Sequence, residues 1–136
     1  MPSVHDNHLF AYSVDAKTRT IILHTEYAYG LAPYTQIDVV LTGVLDHYFK
    51  DAVLPSIVFG VEEIDTQEMI QEHKEQIDEG HRIAGWPSFW KDTVEGMAMV
   101  ISEAGCKTFE ISSSYGFHGW VVAKACATQP IVKENG

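Results

Sequence analysis

Apolar side chains recur at every second residue in four separate stretches, and this alternation constrains the fold more than any other feature of the chain. Phe10, Tyr12 and Val14 form the first run, Ile21, Leu23, Thr25, Tyr27 and Tyr29 the second, Ile37, Val39 and Leu41 the third, and Ile57, Phe59 and Val61 the fourth. Period two is the signature of a strand with one face on a core. Asp15-Ala16-Lys17-Thr18 supplies turn chemistry between the first two runs, which therefore read as a hairpin. Gly30-Leu31-Ala32-Pro33 breaks the pattern before the third run, which ends near Gly43 or Val44, and residues 45–55 read as irregular.

The periodicity then changes. Asp65-Thr66-Gln67-Glu68 and Asp92-Thr93-Val94-Glu95 each place an acidic cap three residues before a Glu, a capping-box variant that satisfies orphan backbone N–H groups. Met69, Ile70, His73 and Ile77 give the first helix an apolar stripe, with Gly80 as its expected C-cap. Val94, Met97, Ala98, Ile101 and Ala104 give the second a broader stripe, stopped by Gly105. An aromatic connector, Trp86-Pro87-Ser88-Phe89-Trp90, lies between them. Two more strands, near 107–114 and 118–126, meet around Tyr115-Gly116-Phe117.

Strands joined by short turns pair antiparallel, and helices laid on one face or end of such a sheet make an α+β domain. The expectation is a mainly antiparallel sheet of about six strands, with two helices inserted between strands four and five. One domain spans residues 1–128, and residues 129–136 read as a flexible tail. With 136 residues, 46% of them hydrophobic, the chain can bury a core without staples. No apolar run approaches the roughly 20 residues of a membrane helix, and the polar opening has no signal-peptide pattern. Cys106 and Cys126 form no CxxC pair and read as reduced, buried thiols of a cytoplasmic protein.

Charge is distributed unevenly. Nine basic against nineteen acidic residues leave a formal −10, of which the segment from Glu62 to Glu79 carries −7. That sign argues against nucleic acid, whose phosphates demand cations. It suits a basic protein partner drawn in by long-range attraction, or else a plainly solvated helix face. Glu62, Glu63, Glu68, Glu72, Glu75 and Glu79 are the candidate partner-binding residues. Glu68, Glu72, Glu75 and Glu79 fall at i to i+3 and i+4 spacing, a ladder about 17 Å long on one unbroken helix. Trp86 and Trp90 join them as an aromatic recognition surface, or fold back as a lid on the core.

The opening Ser3-Val4-His5-Asp6-Asn7-His8 is the other cluster that could carry chemistry. His5, Asp6 and His8, completed by His118 in space, would make a polar site for metal or acid–base work. A zinc or iron site takes three or four ligands, and the remaining histidines show no HxH, HxxxH or HExxH spacing. The plainer reading makes Asp6 an acceptor of backbone N–H bonds in the turn before the first strand. Ser112-Ser113-Ser114 lacks the GxSxG elbow of a nucleophile, and no glycine spacing cradles a nucleotide phosphate. No catalytic residue, metal or cofactor is expected.

The stretch Val4-His5-Asp6-Asn7-His8-Leu9, the strands through Asp15 and from Thr20 to Glu26, and the strand end Leu41-Thr42-Gly43-Val44 resemble small bacterial β-rich proteins. These begin with a hydrophobic-His-Asp turn and carry a hydrophobic-x-Gly-Val strand end. They include uncharacterised families and polymorphic-toxin immunity proteins such as the immunity protein 50 family. The resemblance covers about the first 65 residues. It implies a non-enzymatic, cytoplasmic bacterial protein that inhibits a partner, and it transfers no catalytic residues. An immunity or inhibitor protein engaging a basic, toxin-like partner is thus the leading expectation. A small metal-dependent or acid–base enzyme, or a structural module, are the alternatives.

Overall fold

The computed structural model describes residues 4, 6–27, 35–50, 56–87, 89–115 and 118–131. Strands β1 (His8–Asp15), β2 (Thr20–Tyr27), β3 (Thr35–Thr42), β4 (Asp46–Lys50) and β5 (Ser56–Ile64) come first. Helices α1 (Thr66–Glu72), α2 (Lys74–Ala84) and α3 (Val94–Glu103) follow, and β6 (Lys107–Tyr115), β7 (His118–Ala123) and β8 (Ala125–Ile131) close the described chain. The domain is α+β, and every strand pairing in its sheet is antiparallel.

The sheet order is β4-β7-β6-β5-β1-β2-β3-β8. Lys124 alone links β7 to β8, although they stand second and last in that order. Successive Cα atoms lie about 3.8 Å apart, so the two ends of the sheet must meet. They meet where β3 also bends into β4 through Gly43, Val44 and Leu45. The Lys124 amide donates to Thr42 O at 3.0 Å and Gly43 O at 3.2 Å, and the Leu45 amide donates to Val122 O at 2.7 Å. The ladder therefore continues across both bends, and the sheet curls round on itself. Gly43 makes this possible at φ +62°, a left-handed conformation that glycine adopts without steric cost.

Curling separates two apolar cores, one inside the sheet and one under the helices. Leu9, Ile21, Leu23, Val39, Leu41, Ile111 and Val121 point inward and are fully buried. Because side chains alternate along a strand, Trp120 and Val122 of β7 point outward, where Met69, Ile70, Ile77, Phe89, Met97 and Ile101 cover them. Each such side chain contributes roughly 1.5–3 kcal/mol on burial. The helices are thus a second layer laid on the outward face around β7.

Eight strands and three helices replace the expected six and two among the described residues, and the helices sit between the fifth and sixth strands. Three physical causes account for the difference. Residues 46–50, expected as irregular, pair with β7, because a bent β3 carries them back to the ladder. The expected strand 118–126 is split at Lys124, and its second half continues to Ile131 against β3. Gln129, Pro130 and Ile131 of the expected tail therefore lie in β8, while residues 132–136 lie outside the described residues. The expected first helix breaks at His73, whose backbone (φ −106°, ψ 16°) caps both α1 and α2. The C-cap of α2 is Gly85 at φ +67°, and the expected Gly80 lies inside that helix.

Candidate binding cleft and acidic face

The break at His73 opens a cleft of about 770 Å³ between the helices and the outward face of β4, β7 and β6. The His73 amide ends α1 on Met69 O at 3.1 Å, and its carbonyl starts α2 by accepting the Ile77 amide at 2.9 Å. Opposite them, Tyr48 and Glu110 flank Trp120 in register across three strands, and Lys50 stands beside His118. Glu72, Lys74, Glu75 and Gln76 form the helical wall, and Glu110, Ser112 and Ser113 line the sheet side. The Ser112 hydroxyl donates to Gly60 O at 3.4 Å.

An aromatic stack supports this cleft from below. Trp120 is 1% exposed. Trp86 stacks on it at 5.8 Å and 20°, Phe89 meets it edge-on at 6.0 Å, and the Tyr48 and His73 rings each lie 6.4 Å away. Gly80 lets Trp86 in, because a Cβ there would stand 2.4 Å from Trp86 Cε3. Trp90 packs on the helical layer instead. It stacks on His81 at 4.2 Å and 4°, and its Nε1 donates to Asp78 at 2.8 Å. Hydrogen bonds from Lys74 and from Trp90 hold the Asp78 carboxyl below the usual carboxylate range. Both connector tryptophans are half-buried in these stacks.

All six candidate acids, Glu62, Glu63, Glu68, Glu72, Glu75 and Glu79, are exposed. Ion pairs join Glu63 to Lys107 at 3.6 Å, Glu79 to Arg82 at 2.6 Å and Asp78 to Lys74 at 2.7 Å. Among the described residues Glu62, Glu68, Glu72 and Glu75 carry no ion pair. The break at His73 divides the ladder, so Glu68 and Glu72 stand on α1 and Glu75 and Glu79 on α2, in place of one straight row. Glu72 and Glu75 then stand on either side of the break, and both line the cleft.

Glu110 joins this face from outside the acidic segment 62–79. It lies opposite Glu62 in the β5–β6 ladder and is likewise exposed. Alternation in Thr108-Phe109-Glu110-Ile111 places it opposite to the apolar face, but only the pairing of the strands reveals its acidic neighbour.

The described N-terminal residues do not gather with His118 into a metal-binding cluster. Asp6 is exposed at φ +66°, His8 is half-buried in β1, and His5 lies outside the described residues. His118 belongs to β7, separated from β1 by β5 and β6. Among the described residues no three His, Cys, Asp or Glu side chains come together in a way that could hold a metal ion.

The residue of this stretch that the fold buries is Asn7, at 2% exposure. Its Nδ2 donates to Thr25 Oγ1 at 3.0 Å, and the Thr25 hydroxyl donates to Ile37 O at 2.6 Å. Asn7 O accepts the Val58 amide, and the Asp6 amide donates to Val58 O. The turn thereby ties the chain start to β2, β3 and β5.

Burial raises both thiols, Cys126 to about 11, where it packs against the inner core. Such thiols stay protonated and unreactive near neutral pH. Among the described residues no helix is long and apolar enough to cross a membrane. No protein-family model, curated protein or solved structure matches the chain.

Proposed function

We propose that this protein is a binding protein of the immunity or inhibitor type, working in a reducing cytoplasm, whose acidic face engages a basic partner protein. The observation that carries this reading is the pairing of Glu62 with Glu110, which shares a cleft with Glu72 and Glu75; with Glu68 in the first turn of α1 these are five exposed carboxylates without ion pairs among the described residues. Like charges directly opposite in a sheet cost stability, and so do like charges spaced along a helix. A surface kept for solubility alone would gain from interspersed lysines. Concentrated charge of one sign raises the encounter rate with an oppositely charged partner and disfavours wrong ones. The resemblance of the N-terminal half to immunity proteins points the same way.

Immunity genes stand beside the toxins they neutralise, so the partner to test is the product of the neighbouring gene. Co-expression of the two should yield a complex that survives purification at low salt. The wild-type chain should also relieve the partner's toxicity. A neighbour product that neither co-purifies nor becomes less toxic would contradict the reading.

A further inference from the structure

We infer that β4 is a self-association edge, at which two copies of this chain join their sheets by pairing β4 with β4 about a two-fold axis. The inference does not depend on the acidic-face reading. β3 is paired on both sides, by β2 and by β8, whereas β4 beyond the bend pairs only with β7 among the described residues. β2 begins at Thr20, opposite Thr42, and does not follow β3 around the bend. The Val44 amide closes that side by donating to Arg19 O at 2.9 Å.

There is room for a strand beside β4. A cavity of about 520 Å³ is lined by Tyr48 and Trp86 from one face of the sheet and by Tyr12, His47 and Phe49 from the other, so it straddles the strand's edge. A second, of about 220 Å³, shares Val14 and His47 with it and continues along the bend. The backbone is aimed to suit. A Cβ at Gly119 would run into Tyr48 O, so the Tyr48 carbonyl is directed at β7. Backbone groups alternate in direction along an antiparallel strand, so those of His47 and Phe49 are directed away from β7.

What selects a second copy as the occupant is the strand's own sequence. Asp46-His47-Tyr48-Phe49-Lys50 is complementary to itself read backwards. Antiparallel pairing centred on Tyr48 sets Asp46 opposite Lys50 of the second copy, and His47 opposite its Phe49, each twice about the axis. Opposite charges and aromatic pairs directly across strands are both favourable. The same register makes each His47–Phe49 pair the kind that exchanges both N–H···O bonds. A slide of two residues keeps that backbone match but sets Tyr48 against Asp46 or Lys50 and loses both charge pairs. Lys50 is exposed and has no ion pair among the described residues. A lysine on an edge normally repels a second strand, but here it meets an aspartate. β8, at the other end of the sheet order, carries Pro130, which cannot donate and blunts that edge. Two-fold pairing through β4 uses the same patch on both copies and closes as a dimer.

The test is sedimentation velocity of the full chain over a concentration series. A short edge makes a small, transient interface, so a monomer–dimer equilibrium is expected between about 10 μM and about 1 mM. Amide exchange at His47 should slow as concentration rises. Asp46→Lys and Lys50→Asp each set like charges opposite one another and should weaken dimerisation about tenfold or more. The double exchange restores complementarity and should return it to within about threefold of wild type. His47→Pro removes an outward N–H while sparing the ladder to β7, and should also weaken the dimer about tenfold with the monomer's circular dichroism unchanged. If Asp46→Lys impairs folding, Lys50→Asp at its exposed position and His47→Pro carry the test. A chain that stays monomeric up to about 1 mM, or a dimer unaffected by Lys50→Asp and His47→Pro, would overturn the inference. Loss of the dimer in both single charge variants without recovery in the double exchange would overturn the β4–β4 register.

Discussion

Glu62 on β5 and Glu110 on β6 stand directly opposite each other, two exposed carboxylates on neighbouring strands. Opposed like charges in an antiparallel pair are unfavourable, and an opposite pair at the same place contributes roughly 0.2–1 kcal/mol. Glu62→Lys should therefore raise the stability of the isolated protein by about that amount and weaken association with the basic partner. Urea denaturation and a binding titration on the same variant check both halves. A loss of stability would mean that Glu62 has a structural role.

Gly80 and Gly85 make different demands on the helical layer. A Cβ at Gly80 meets the Trp86 ring at 2.4 Å and its backbone oxygen at 2.9 Å, so something must shift. Gly80→Ala should cost about 1–3 kcal/mol despite alanine's better helix propensity, with a red shift in tryptophan emission as Trp86 leaves Trp120. Gly85 has open space around it but sits at φ +67°. Gly85→Ala should cost about 1 kcal/mol and leave the emission unchanged. Thermal unfolding with emission spectra distinguishes the two.

The opening turn gives a paired prediction of unequal size. Asn7→Ala removes the donor to Thr25 inside the core and should cost about 1–3 kcal/mol. Asp6 is exposed in a left-handed conformation that glycine adopts without steric cost, so Asp6→Gly should cost less than Asn7→Ala. A stoichiometric metal ion in the purified protein that is lost in His5→Ala, His8→Ala would contradict this account of the turn.

How far the chain could be read from residues alone is visible at the same places. The second strand's alternation puts Ile21, Leu23, Thr25, Tyr27 and Tyr29 on the core; the first three are buried, Tyr27 at the strand end is 49% exposed, and Tyr29 lies outside the described residues. Asp65 caps α1 by accepting the Glu68 amide at 2.9 Å, as its spacing indicates. In α3 the cap moves one residue, to Thr93, which accepts the Gly96 amide. Phe10 alternates with Tyr12 in the sequence, but a bulge between Leu9 and Ala11 shifts the register. Leu9 is therefore fully buried, and Phe10 is 38% exposed. A bulge, the bend at Gly43 and the break at His73 depend on which strands and helices meet, and period two carries no record of that. The acidic ladder was legible as composition. Its junction with Glu110 required the β5–β6 register.

His47 on β4 supplies a pH dependence. Burial pushes its imidazole below the ordinary value of 6.5, against the Asp46 carboxylate, which favours the charged form. The unfolded chain then takes up the proton more readily than the folded one. This contribution to stability is fully present above about pH 6.5 and is lost as pH falls through the lowered folded value. Stability measured from pH 7.5 down to 5 should decline less steeply in His47→Asn than in the wild type. Parallel curves would mean that His47 titrates alike in both states.

The most direct test of the acidic face is the association rate with the neighbouring gene's product, measured by stopped flow over a range of ionic strength. Rim charges act chiefly on the on-rate, and salt screens them within a Debye length of about 10 Å at 0.1 M. Replacing Glu62, Glu68, Glu72 and Glu75 together by Gln removes four exposed carboxylates that carry no ion pair among the described residues. The wild-type rate should fall steeply with salt, and the quadruple variant should associate at least about tenfold more slowly at low salt, with a flattened slope. An unchanged rate and an unchanged slope in a variant that folds as well as the wild type would show that these carboxylates are only solvated surface.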